Sequence, residues 1–157
     1  MNLFLLNTLL AIAWSALTGS ASLMNFLVGF IIGYAALQVS NFQSAREKYF
    51  RRVPKTISLS VFFLRELVLS SLRVAQEVLS PKMLSTPRIM RVPLEIRDPN
   101  QILVLTSLIS LTPGTLVLDV TPENDAMIVH TMFVEDPEAF RREIREGFEY
   151  RVREAMS

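Results

Sequence analysis

The chain has 157 residues, half of them hydrophobic, and its 16 basic and 15 acidic side chains leave a net charge of only +1. That balance gives no electrostatic case for nucleic-acid binding. With no cysteine and a single histidine, disulfides, thiol chemistry and cysteine-held metals are excluded; neither a transition-metal site nor a cofactor is expected.

Residues 3–39 contain no Lys, Arg, Asp, Glu or His, and the apolar run breaks only at Thr18-Gly19-Ser20-Ala21-Ser22. Each arm, 3–17 and 23–39, sits at or just under the roughly 17–25 residues with which a helix crosses a hydrocarbon core about 30 Å thick. Backbone in lipid must satisfy its own hydrogen bonds, so both arms are expected to be helical and residues 1–40 to form a transmembrane helical hairpin. A cleaved signal peptide competes for the first arm because of the small residues that end it. Against that reading, Met1-Asn2 carries no basic residue and a second apolar arm follows at once. A soluble buried hairpin would need a polar stripe that neither arm has.

In the second arm Ser22, Asn25, Gly29, Gly33 and Ala36 fall along one helical face. Small residues let helices approach closely in lipid, which makes these five the helix-packing candidates, directed at neighbouring helices. Glycine is also simply common in membrane helices. Asn7 and Asn25 are expected to hydrogen-bond between helices, and Trp14 and Tyr34 to sit at the interface or against a neighbour.

Residues 41–55 carry Arg46, Lys48, Arg51, Arg52 and Lys55 against Glu47 alone, a basic loop that the positive-inside rule places in the cytoplasm. It also suits anionic lipid headgroups. Over residues 56–81 an amphipathic helix is expected, with Ser58, Arg65, Glu66, Ser70, Arg73, Gln76, Glu77 and Ser80 within an arc of roughly 140°. Ile57, Val61, Leu64, Leu67, Val68, Leu72, Ala75, Val78 and Leu79 fill the opposite side. Arg65, Glu66, Arg73 and Glu77 form a polar stripe, a candidate for ion access, that would meet water or polar partner surface. Each would be costly on a lone lipid-facing span. The helix is therefore expected to lie in the interface or along partner subunits, and a third span with its charges turned inward stays open.

Residues 82–157 read as a small α+β domain. Ser80-Pro81 ends the preceding helix, and residues 88–97 alternate apolar and polar as a strand that Pro93 assigns to an edge. Asp98-Pro99 caps a helix running to the stop at Thr112-Pro113-Gly114. Strands are expected over 115–121 and 126–134, joined by a turn at Pro122-Glu123-Asn124-Asp125. Asp136-Pro137 then starts a helix with Phe140, Ile144, Phe148 and Val152 inward and the charged residues, Glu143 and Glu149 among them, solvated. The order is β-α-β-β-α.

Little here carries chemistry. The hairpin lacks the ionisable groups an ion path needs, His130 has no carboxylate or nucleophile beside it in sequence, and Thr112-Pro113-Gly114-Thr115 lacks the lysine of a phosphate loop. The residues describe a membrane-anchored, non-catalytic accessory protein.

The run Ser107-Leu108-Ile109-Ser110-Leu111-Thr112-Pro113-Gly114-Thr115-Leu116-Val117-Leu118-Asp119-Val120, preceded by the charge-free hairpin and a basic segment, resembles the E subunit of Mrp-type multisubunit cation/proton antiporters. The likeness extends over essentially the whole chain, and Ser110 to Thr115 is its most specific part. The resemblance implies a bacterial or archaeal inner-membrane, multi-pass subunit with a cytoplasmic C-terminal domain. Its implied partners are other membrane subunits of the antiporter and membrane lipids, with no nucleic acid and no small-molecule substrate bound by this chain alone. The implied role is assembly and stability of a complex that exchanges cytoplasmic Na⁺ for protons, the ion path belonging to larger subunits. The alternative is a stand-alone membrane-tethered adaptor whose C-terminal domain binds a soluble partner.

Overall fold

The computed structural model describes residues 3–39, 43–81 and 85–157. Met1, Asn2, Asn41 and Lys82, which carry the readings of the N-terminal region, the start of the basic segment and the start of the C-terminal domain, lie outside the described residues. So do the side chains of Arg46, Glu47 and Lys48. The chain divides into two compact units, Met1–Pro54 and Lys55–Ser157.

In the first unit α1 (Leu3–Leu17) and α2 (Leu23–Val39) pack as the expected helical hairpin. The turn between them follows from its small residues. Ser20 N–H donates to the Ser15 carbonyl at 3.3 Å and Gly19 N–H to Ala16 at 3.3 Å, a Schellman close that requires the left-handed φ of +65° at Gly19. Ser22 then caps α2 by accepting from Asn25 N–H at 3.2 Å. Leu3, Asn7 and Ala11 of α1 are buried, as are Gly29, Gly33 and Leu37 of α2, each set spaced by four along one face. Neither helix, nor any other among the described residues, is long and apolar enough to cross a membrane by itself: α1 has 15 residues and α2 has 17.

The loop expected over 41–55 is instead helical from Gln43 onward, because α3 runs from Gln43 to Leu79 with Pro54 inside it. Straight-chain Arg, Lys and Glu favour helix there, and proline's fixed φ is helical, so what Pro54 removes is one N–H bond. In the first unit Phe50 and Val53 of this helix pack near Leu3, Leu37 and Tyr34, with the Phe50 and Tyr34 rings 4.6 Å apart.

The second unit contains the rest of α3, then β1 (Arg88–Pro93), α4 (Pro99–Leu111), β2 (Thr115–Val120) and β3 (Ala126–Thr131). It ends with α5 (Pro137–Glu143), a π-helical turn (Ile144–Glu149) and α6 (Tyr150–Met156). The sheet is antiparallel in the order β1-β3-β2, so Pro93 lies on an edge strand, where its missing N–H costs no ladder bond. β1 and β3 end earlier than expected, at Pro93 and Thr131. Asp98 accepts from Asn100 N–H and Gln101 N–H, and Asp136 from Glu138 N–H, so both cap-plus-proline starts form as read. One face of the sheet, through Val92, Met127 and Val129, joins Ile102, Leu105, Ile109, Ile144, Phe148 and Val152 in the core.

Two expectations are corrected here. Glu149, read as solvated, is 1% exposed: the π turn widens the helix by a residue and rotates Glu149 inward. Part of the polar side of α3 also turns to the protein's own domain, while Arg65 and Arg73 stay exposed. Leu59 joins the core, Phe62 stacks edge-on against Phe148 at 5.0 Å beneath the Arg151 guanidinium, and Glu66 and Ser70 are buried on that side. Turned to the protein's own domain, that arc leaves Ile57, Val61, Leu64, Val68 and Leu72 exposed.

Candidate functional site

The C-terminal end of α4 is closed by the threonines of the motif. Thr112 donates through Oγ1 to the Leu108 carbonyl at 2.9 Å, and Thr115 Oγ1 to the carbonyls of Ile109 at 2.7 Å and Thr112 at 2.9 Å. Pro113 cannot continue the helix. Gly114 takes a φ of +90° with the Phe133 ring against it, close enough that a Cβ would stand 3.2 Å from the ring. Ser110 Oγ accepts from Val117 N–H at 3.2 Å, tying α4 to β2. Each polar residue of Ser110 to Thr115 thus has a local backbone task, the satisfaction of groups that would otherwise be orphaned at a helix end.

This turn also forms one wall of a cavity of about 60 Å³. The opposite wall is Glu66, Ser70 and Arg73 of α3, so the fold brings two stretches singled out separately in the sequence, the motif and part of the polar stripe, to one place. Thr131 from β3 and Glu143 from α5 complete the polar lining. The chamber has room for a few waters and not for an organic ligand. Glu66 is held by Arg65, Nη1 to Oε1 at 2.5 Å, with the guanidinium on the exposed side. Ser70 Oγ donates to the Glu66 carbonyl at 2.6 Å. Glu143 stands at the rim, open to solvent as a residue, and its carboxyl titrates above its ordinary range: loss of hydration raises it first and the Glu66 charge second, while Arg73 and Arg65 oppose the rise.

The remaining candidates lie elsewhere. Glu77 accepts from Ser85 Oγ at 2.8 Å, away from this cavity's lining. His130 alternates with Thr131 along β3 and so points to the opposite sheet face. Among the described residues no three acids or histidines gather at metal-ligand spacing. Thr131 and Glu143 escape a reading of the sequence because nothing local links them to residues 66–73.

In the hairpin, Gly29 and Gly33 are buried against α1 of the same chain. A Cβ on Gly29 would stand 2.8 Å from Trp14, and one on Gly33 would collide with Asn7. Asn25 locks the turn: it accepts from Trp14 Nε1 at 3.2 Å and donates to Thr18 Oγ1 at 2.6 Å and the Ser20 carbonyl at 2.7 Å. Ser22 is the cap described above, and Ala36 is exposed on another side.

Residues 7–155 match the family model for a Na⁺/H⁺ ion antiporter subunit. The chain is 36% identical to the E subunit of the Na⁺/H⁺ antiporter of Bacillus subtilis, over 96% of this chain and 95% of that one. It is 35% identical to the corresponding antiporter subunit of Alkalihalophilus pseudofirmus over the same shares. Among solved structures it is similar to a chain of the membrane-bound sulfane sulfur reductase, an archaeal respiratory membrane complex, with a TM-score of 0.61, 28% identity and 98% of each chain covered.

Proposed function

The chain belongs to the family of Na⁺/H⁺ antiporter E subunits, those of Mrp-type complexes, and from that premise we propose that it is an accessory subunit that helps to hold the complex together without conducting ions itself. Its partners are other membrane subunits. The observation that carries the accessory role is the hairpin: no Lys, Arg, Asp, Glu or His occurs in residues 3–39, while Phe4, Leu5, Leu9, Ile12, Met24 and Ile31 are all more than half exposed. Such a surface suits hydrocarbon, and such an interior offers no relay for protons or cations.

The two arms cross the bilayer as a pair. At 1.5 Å per residue they reach about 22 and 26 Å, short of a core about 30 Å thick, a mismatch that local thinning absorbs at modest cost. Arg51, Arg52 and Lys55 follow the second arm, which puts residues 55–157 on the cytoplasmic side. The α+β domain is then a cytoplasmic clamp, and its small cavity, fed by neither arm's chemistry, is a structural chamber.

Gentle solubilisation of native membranes tests the role: the chain is expected to elute with the other antiporter subunits, and elution alone would favour the tethered adaptor. Protease added to the cytoplasmic face of oriented vesicles is expected to remove residues 85–157, and protection there would reverse the topology.

A further inference from the structure

We propose that the 60 Å³ chamber and the acidic cleft beside it receive a lysine side chain from a neighbouring membrane subunit; this rests on the reading of the chain as an accessory subunit of a larger complex. The chamber shares Arg73, Phe133, Phe140 and Glu143 with a cleft of about 430 Å³, which Glu135 and Asp136 also line. Thr131, in the chamber's lining, is 2% exposed, and its hydroxyl makes no hydrogen bond among the described residues. Glu66 is buried in the same lining, with Oε2 left over once Arg65 has taken Oε1. The other hydroxyls are already committed as donors, Thr112 and Thr115 to carbonyls in the last turn of α4 and Ser70 to that of Glu66. What the lining retains is acceptor capacity, so it calls for a group that donates.

Charge selects a cation. Glu66, Glu135, Asp136 and Glu143 line the two spaces against Arg73, and Arg65 serves Glu66 from the exposed side. Arg73 is exposed and forms no ion pair among the described residues, so its guanidinium is seated on none of the four; Glu135 and Glu143 have neither hydrogen bond nor ion pair there. Burial first, and the Glu66 charge second, hold the Glu143 carboxyl above its ordinary range against the pull of Arg73 and Arg65, which leaves Glu143 short of a counter-charge. Shape selects lysine over arginine. The free acceptors come singly from three elements, Thr131 of β3, Glu66 of α3 and Glu143 of α5, which suits the three donors of a compact ammonium; a guanidinium fork is matched to the two oxygens of one carboxylate. The Phe133 and Phe140 rings line both spaces and give the four-carbon stem an apolar bed.

Coupling with a water-soluble carbodiimide tests this in the intact, gently solubilised complex, because the reagent joins a carboxylate to an amine where the two already touch. Lys55 and Glu154, 2.6 Å apart in this chain, are the internal control. Mass spectrometry is expected to find Glu143 or Glu135 in amide linkage to a lysine of another subunit, alongside the control link. Glycinamide added with the reagent is expected to leave Glu143 unmodified. The lysine so identified is expected to be acetylated severalfold faster in a complex carrying both Glu135→Gln and Glu143→Gln than in the parent, and equal rates would overturn the inference. An intact complex that yields the control link without the one between subunits overturns it too, whether glycinamide then reaches Glu143, which marks an empty cleft, or does not, which marks another occupant; the accessory role stands in either case. Elution of the chain alone would end this inference and the accessory reading together.

Discussion

Glu149 is a carboxylate with almost no access to solvent, and its place is explained by what it accepts. Its Oε1 takes backbone N–H from Glu95 at 2.6 Å and Ile96 at 2.8 Å, donors in the connection from β1 to α4 that no ladder satisfies. Glu149→Ala is expected to lower stability by about 2–4 kcal/mol, since two inward N–H groups lose their acceptor, and Glu149→Gln by less because an oxygen remains. Denaturant unfolding of the full chain in detergent measures both. Glu143 links stability to pH. Burial and the Glu66 charge raise its carboxyl above the ordinary 4.5, so between 4.5 and the raised value the folded chain holds a proton that the unfolded chain has released. Stability through this group therefore falls as pH rises across that window. Unfolding at pH 5 and pH 7.5 is expected to differ less in Glu143→Gln than in the parent. Asp125 does not confuse the comparison. The Thr121 hydroxyl first, then Arg91, hold its carboxyl below the ordinary 3.8, so its contribution is lost only at more acid pH.

At the level of elements, the hairpin depends on glycines where α2 meets α1. Gly29→Leu would drive a side chain into the Trp14 indole and break its bond to Asn25. Trp14 is the only tryptophan, so a shift in its emission reports the opening directly. Gly19→Ala is the control: its left-handed φ costs about 1–2 kcal/mol, but nothing lies within 4 Å and the emission is expected to stay. Much of this architecture is legible in the sequence because the signals are local: the caps at Asp98 and Asp136, the stop at Pro113-Gly114, and the alternation in the first two strands. Three features are not local, and the sequence misplaces or misses them. The periodicity of α3 reveals two faces but not which one the domain covers, and here Phe62 and Leu59 draw the polar arc inward. A π turn shifts the phase of every later residue in its helix, which hides Glu149. The cavity draws on positions from Glu66 to Phe148, brought together only by tertiary packing.

Over the whole chain, charge and apolar surface are partitioned: 3–39 is without Lys, Arg, Asp, Glu or His, and the carboxylates with described side chains all follow in 55–157. If ions passed through this protein they would need the acids of α3, and among the described residues Glu66 is the one α3 acid lining the 60 Å³ cavity. Its Oε1 is occupied by Arg65, however, and the residue is buried toward its own domain and not on the exposed apolar face. Glu66→Gln and Glu77→Gln, combined in an otherwise intact complex, are therefore expected to leave Na⁺-dependent proton movement in everted vesicles within about twofold of the parent, a change of under roughly half a kcal/mol in the barrier. The same pair should lower the Glu143 titration, because the like charge beside it is gone, and so weaken the pH dependence of unfolding. A tenfold loss of antiport with the complex still assembled would instead place Glu66 or Glu77 on the ion path and give the head a conducting role.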